Sequence, residues 1–338
     1  MKIRKIDILL WLGFLVVLSS CKDDSPRFDN NPKVNFEALW NIIDRNYCFF
    51  EYKNVDWDSV YQVYDKKVAT LKSPDSLFTV LAEMLGELKD GHVNLYAAHD
   101  ISRYWNWKEN YPENFDEKIK DKYLGKNYMI AGSIQYKILS DNIGYMYYGS
   151  FSSSFGDGNL SQIISRFSNC KGMIIDVRNN DGGDLTNVDK IAGRFFDEKT
   201  LVGYISHKTG PAHNAFSPLF PKYIEPYSGI RYKKTVVVLT NRGCYSATND
   251  FVSVMKNSKL VTVMGDRTGG GSGLPFSSEL PNGWSVRFST SPMFDAEKQH
   301  IEFGIDPDIF VSMFAIDIYS RRDTLIESAR QFINNSGN

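Results

Sequence analysis

The 338 residues are 42% hydrophobic and 14% aromatic, enough apolar mass for one large core or two modest ones, which excludes a chain whose main state is disorder. Lys and Arg total 39 against 40 for Asp and Glu, a formal charge of −1, so charge balance points neither to nucleic acid nor to an anionic membrane surface as partner. The four cysteines, Cys21, Cys48, Cys170 and Cys244, are irregularly spaced and form neither a disulfide scaffold nor a metal-ligand cluster.

The chain opens on an address. Lys2, Arg4 and Lys5 precede an apolar run from Ile8 to Leu18, too short for a confident membrane span and laid out as a secretory signal. Leu18-Ser19-Ser20-Cys21 resembles the bacterial lipobox, whose cysteine is diacylated and becomes the first mature residue; a plain signal peptide or a short anchor helix is the alternative. Lys22-Asp23-Asp24 is similar to the acidic signal that sends some lipoproteins to the cell surface. The expectation is a cell-envelope protein on the outer membrane, surface-exposed, held by lipid at Cys21, with residues 22–32 as a polar tether.

From Val34 to Leu88 apolar residues recur at helical spacing, as in Phe36, Leu39, Trp40 and Ile43 and again in Leu77, Val80, Leu81, Met84, Leu85 and Leu88. Ser73-Pro74-Asp75 reads as a helix start. Residues 33–96 are therefore a helical N-terminal subdomain. Residues 97–142 are aromatic and charged without clear period, including Tyr104-Trp105-Asn106-Trp107, and read as a cap or connecting segment; substrate lining by these aromatics is a second reading.

Residues 143–338 alternate strands and helices. Strand-like runs lie at 143–148, 172–177, 235–239 and 260–264, with helices at 160–167, 185–196 and 246–256 between or after them. A further β segment follows near 285–289 and a last helix near 322–333. Buried apolar strands separated by helices predict an α/β core on a largely parallel sheet.

Two strand ends carry the chemistry. After Val236 to Leu239 the chain runs Thr240-Asn241-Arg242-Gly243-Cys244-Tyr245-Ser246, which puts Ser246 at a helix start, where unpaired N–H groups and the helix dipole favour an oxyanion. Serine is also the commonest kind of helix cap, so this segment alone leaves both readings open. After Met173 to Val177 comes Arg178-Asn179-Asn180-Asp181-Gly182-Gly183, whose glycines let backbone donors approach a ligand; Asp176 and Arg178 can equally pair with each other.

In order, Asp176-x-Arg178-x-Asn180-x-Gly182-Gly183, then Leu239-Thr240-Asn241 with Ser246-Ala247, then Gly265-Asp266-Arg267-Thr268-Gly269-Gly270, then Gly304-Ile305-Asp306-Pro307-Asp308, the chain resembles the C-terminal processing (tail-specific) serine peptidases and the tricorn protease core. The likeness covers roughly Lys89 to Val311. It implies a ClpP/crotonase-like central sheet with a helical N-terminal subdomain, peptide or protein substrates, no cofactor and no metal. Processing peptidases use a Ser-Lys dyad, and Gly271 stands where their lysine would be. The tricorn-like branch takes a histidine from a segment that Leu88-Lys89-Asp90-Gly91-His92 matches. The resemblance thus implies Ser246 as nucleophile, His92 as base and Glu302 as the acid orienting it, with Asp90 in reserve. Gly182, Gly183 and Ala247 would supply the oxyanion hole.

Histidine suits the role, since its pKa near neutrality lets it accept a serine proton. His99, His207, His213 and His300 share no metal-binding spacing and read as surface or loop residues, with 207–213 in a loop that lids the cleft. About fifty residues separate His92 from Ile143, too few for the PDZ domain many processing peptidases insert there. Two rival functions share the scaffold: a non-catalytic ligand- or peptide-binding protein, and an esterase of small substrates. Nucleic acid is not an expected partner, and oligomeric state is not readable.

Overall fold

The computed structural model describes residues 28–71 and 74–336. The signal region, Cys21, most of the tether and Ser73 lie outside them. Helices α1 (Pro32–Asn46), α2 (Phe50–Lys53), α3 (Trp57–Ala69) and α4 (Pro74–Gly86) open the chain. Asn31 caps α1 by accepting from the N–H groups of Lys33 and Val34, and Asp56 caps α3 through Ser59, each quieting donors that a helix start leaves unpaired. Their apolar stripes, with Phe36, Ile43, Trp57, Leu81 and Met84, close on one core that also takes in Val286 and Phe288 from far downstream.

Those two residues belong to a three-stranded antiparallel sheet in which β1 (Asn94–Tyr96) pairs with β11 (Ser285–Ser291), itself paired with β10 (Leu274–Glu279). The helical unit is therefore not closed at residue 96. It borrows a hairpin from the other half of the chain, and that borrowing brings the two halves together.

The central sheet has seven strands: β2 (Met129–Ala131), β3 (Ile134–Ile138), β4 (Gly144–Tyr147), β5 (Met173–Asp176), β8 (Val236–Thr240), β9 (Val261–Gly265) and β13 (Ile309–Phe310). Their spatial order is β13-β9-β8-β5-β4-β3-β2. Pairings from β13 through β4 are parallel, and β4-β3 and β3-β2 are antiparallel. The largely parallel α/β core expected from the apolar runs is what forms, with a hairpin added at one edge.

Side-chain alternation splits the central strands between two layers. Met173, Ile175, Val236 and Val238 face α6 (Asp157–Phe167), α7 (Leu185–Ala192) and α8 (Ala247–Met255), whereas Ile174, Val237 and Leu239 face α10 (Thr324–Ser336). Strands covered on both faces need continuous apolar runs, which is why they were legible.

Elsewhere the structure departs from the sequence reading. The helix expected to reach Phe196 stops at Ala192 before Gly193. Within 97–142 sit α5 (Glu117–Leu124) and the β2-β3 hairpin. The region 200–224 holds the hairpin β6 (Thr200–Ile205) and β7 (Phe220–Ile224), joined by β12 (Met293–Phe294) in a third sheet, and only the stretch between those strands is loop. A further helix among the described residues, α9 (Ala315–Tyr319), is short.

Candidate active site

β8 and β5 end side by side, and the turns after them are stitched together. Asn241 Oδ1 accepts the Asn179 N–H at 2.9 Å, and the Asn241 amide donates back to Asn179 Oδ1 at 2.6 Å. Asn180 goes further, accepting at Oδ1 from the Gly182 N–H at 3.0 Å, the Phe151 N–H at 3.2 Å and the Thr248 hydroxyl at 2.7 Å. These amides fix the glycine turn against the start of α8.

Ser246 precedes α8 with φ 57° and ψ −121°. Such a backbone costs a β-carbon-bearing residue about 1–3 kcal/mol and holds only where neighbours over-determine it. Here the Ser246 N–H donates to the Gly270 carbonyl at 2.8 Å, and the Asp250 N–H donates to the Ser246 carbonyl at 3.0 Å. The serine side chain makes no capping bond. Its hydroxyl points instead to His92, with Oγ 2.9 Å from Nε2. The two residues are 154 positions apart in sequence, one from each half of the molecule.

His92 is buried, at 3% exposure, and burial is the largest effect depressing its pKa to about 4; Asp90 opposes the shift while Arg287 and Lys53 add to it. The imidazole is thus neutral at pH 7 and free to accept a proton. Its backbone is fixed by Asp90, whose Oδ1 accepts the His92 N–H at 2.8 Å. Asp90 Oδ2 accepts from the hydroxyls of Tyr47 and Ser289, each at 3.0 Å. Although burial, the largest effect on it, works upward, Lys53 and His92 hold the Asp90 carboxyl below its ordinary value.

Glu302 does not reach His92, which corrects the expected direct Ser-His-Glu chain. Its Oε1 pairs with Lys53 Nζ at 2.7 Å and its Oε2 accepts the Ser272 N–H at 2.7 Å. His92 Nδ1 is buried and has no hydrogen-bond partner among the described residues. Burial is the main reason the Glu302 carboxyl stands above its usual range.

Of the three expected oxyanion donors, the Gly182 N–H is taken by Asn180. That leaves Gly183, which is exposed, and Ala247, the first residue of α8, whose N–H no intrahelical acceptor can reach. Gly182 matters sterically instead, because at φ 102° a β-carbon on it would lie 2.7 Å from Ser246 Cβ. Gly271, where a dyad lysine would stand, has φ 79°, and a β-carbon there would lie 2.3 Å from the Tyr245 ring, so the site has no room for that lysine.

Tyr245 stacks on Trp107 with ring centroids 4.2 Å apart. Together with Gly91, Tyr104, Arg242 and Glu302 they line a cavity of about 210 Å³, which neither Ser246 nor His92 lines. The remaining histidines serve packing: His213 Nε2 meets Asp44 at 2.9 Å, His207 Nδ1 meets the Ser291 hydroxyl at 2.9 Å, His300 stacks on Tyr52, and His99 lies edge-on to Phe78. Asp176 and Arg178 do pair, at 2.6 Å, and Arg178 also binds Asp323 at 3.0 Å. Cys48, Cys170 and Cys244 are separate buried thiols, and no cluster of three or more His, Cys, Asp or Glu able to hold a metal occurs among the described residues.

Residues 142–311 match peptidase family S41, and residues 28–86 match the tricorn protease C1 domain. The chain belongs to peptidase family S41 and is of the serine type. A solved structure of a "putative peptidase" from Parabacteroides merdae is 55% identical, covers 90% of this chain and 97% of its own, and superposes with a TM-score of 0.87. A "Probable CtpA-like serine protease" of Staphylococcus haemolyticus is 26% identical over 178 residues, 52% of this chain and 34% of that one. A Chlamydia trachomatis protein is 30% identical over 130 residues, 36% of this chain and 22% of its own, so the chain spans only a fifth to a third of these curated relatives.

Proposed function

We propose that this chain is an exported, lipid-anchored peptidase that hydrolyses peptide bonds through an acyl-enzyme on Ser246. The single observation carrying the reading is the 2.9 Å contact between Ser246 Oγ and His92 Nε2 at a strained serine heading a helix. As Ser246 attacks a peptide carbonyl, His92 Nε2 takes its proton and then passes it to the leaving amine; water reverses the sequence and frees the acid product. The Gly183 and Ala247 N–H groups receive the negative charge on the carbonyl oxygen. The imidazolium is balanced by Asp90 and Glu302, with Glu302 acting as nearby charge, without a direct hydrogen bond. Cys21 carries the lipid that holds the protein at the outer membrane.

The test is a paired assay on protein lacking residues 1–27. Cleavage of a peptide mixture that vanishes in Ser246→Ala supports a peptidase. Hydrolysis of simple esters alone supports the esterase, and turnover of neither supports a binding protein. For the anchor, radiolabelled palmitate should enter the full-length protein in bacteria and be absent from Cys21→Ala; equal labelling of both would contradict it.

A further inference from the structure

Lys53 ends the single turn of α2, and its side chain is only 2% exposed. Its Nζ meets Glu302 at 2.7 Å, lies 3.6 Å from Asp90 and donates to the Lys89 carbonyl at 3.2 Å, with the Phe49 ring 5.2 Å away. A buried ion cluster is rarely a net source of stability, since apolar groups of like volume serve as well or better. Its cost calls for another role. Two of these three partners, Lys89 and Asp90, lie in the turn leading into His92. The third borders the nucleophile: the Gly271 N–H donates to the Glu302 carbonyl at 2.9 Å, and the neighbouring Gly270 carbonyl accepts from Ser246.

We propose that Lys53 is a positioning residue of the hydrolytic site, the buried cation that clamps Asp90 and Glu302 and sets His92 in register with Ser246. This rests on the hydrolytic reading above. Lys53, Asp90 and Glu302 together carry one net negative charge, matched to the positive charge His92 acquires during attack. Tyr47 and Cys48 beside Lys53, and Tyr245 beside His92, are held neutral by burial, and Tyr52, Tyr104, Lys89, Arg242, Arg267, Arg287 and His300 are further titratable or charged groups around the cluster. The charge on Lys53 depresses the pKa of His92, so removing it raises that value.

The test is the pH dependence of fluorophosphonate inactivation in the wild type, Lys53→Met, Lys53→Gln and Lys53→Arg. The neutral variants should lose about tenfold in plateau rate, with the acid limb rising by about one pH unit, and Lys53→Arg should return the limb toward wild type. Folded neutral variants with an unmoved limb would overturn the proposal even if they melt earlier. So would failure of both to fold, which would make Lys53 a structural staple. A wild type that takes no label would instead remove the hydrolytic reading, and this inference with it.

Discussion

Ser246 and Gly182 form one steric unit. The serine can hold its positive φ because the glycine opposite leaves room for its β-carbon. Gly182→Ala should therefore misplace the nucleophile and its donors and lower kcat about 10²-fold with the protein still folded, as steady-state kinetics and circular dichroism would show. In the proposed mechanism His92 sets the pH dependence. With its pKa depressed to about 4, kcat/KM should hold steady from neutrality to about pH 5 and fall below about pH 4, where protonation removes the base. A limb at the ordinary histidine value near 6.5 would show that the imidazole is not buried in the working enzyme. At this scale the sequence motifs singled out Ser246 and His92, which the fold brings within 2.9 Å of each other. Lys53 gave no signal, because a lysine closing a short helix looks like any solvated charge until its partners are placed. Glu302 was found as part of the cluster but assigned a bond it does not make, since sequence cannot say which cation reaches a carboxylate first.

The elements that hold these residues are locked by a second buried ion group. Arg178, at the end of β5, binds Asp176 from its own strand and Asp323, which in turn caps α10 by accepting from the N–H groups of Leu325 and Ile326, each at 3.0 Å. The last helix is thereby pinned to the sheet directly behind the glycine turn. Arg178→Ala would leave two buried carboxylates uncompensated and should cost about 3–5 kcal/mol in denaturant unfolding. Central strands and amphipathic helices were readable because burial on two faces or one stripe imposes a visible period. The β2-β3 hairpin and the β6-β7 pair were not, because each ends a sheet in an edge strand and carries mixed polarity, as Phe220 and Tyr223 on edge strand β7, both exposed, illustrate.

At the scale of the molecule, His92 and Ser246, the proposed base and nucleophile, are carried by different apolar cores. His92 is carried on the turn between α4 and β1, above a core of helices and the β10-β11 hairpin; Ser246 rises from the central sheet. Loosening the first core should disable a centre whose nucleophile lies in the second. Trp57, 1% exposed and stacked on Trp40, is the place to try it: Trp57→Ala should cost about 3–5 kcal/mol and slow Ser246 labelling as well, measured by melting and by fluorophosphonate kinetics on the same sample. The general α/β plan could be read from pattern alone, whereas the hairpin shared between the two units could not, because strand pairing across nearly two hundred residues leaves no local period. The convergence of His92 on Ser246 is tested most directly by treating protein lacking residues 1–27 with a fluorophosphonate and mapping the adduct by mass spectrometry. One adduct on Ser246, absent in His92→Ala, is the result this structure predicts. A folded protein that stays unlabelled, or labels equally without His92, would contradict it.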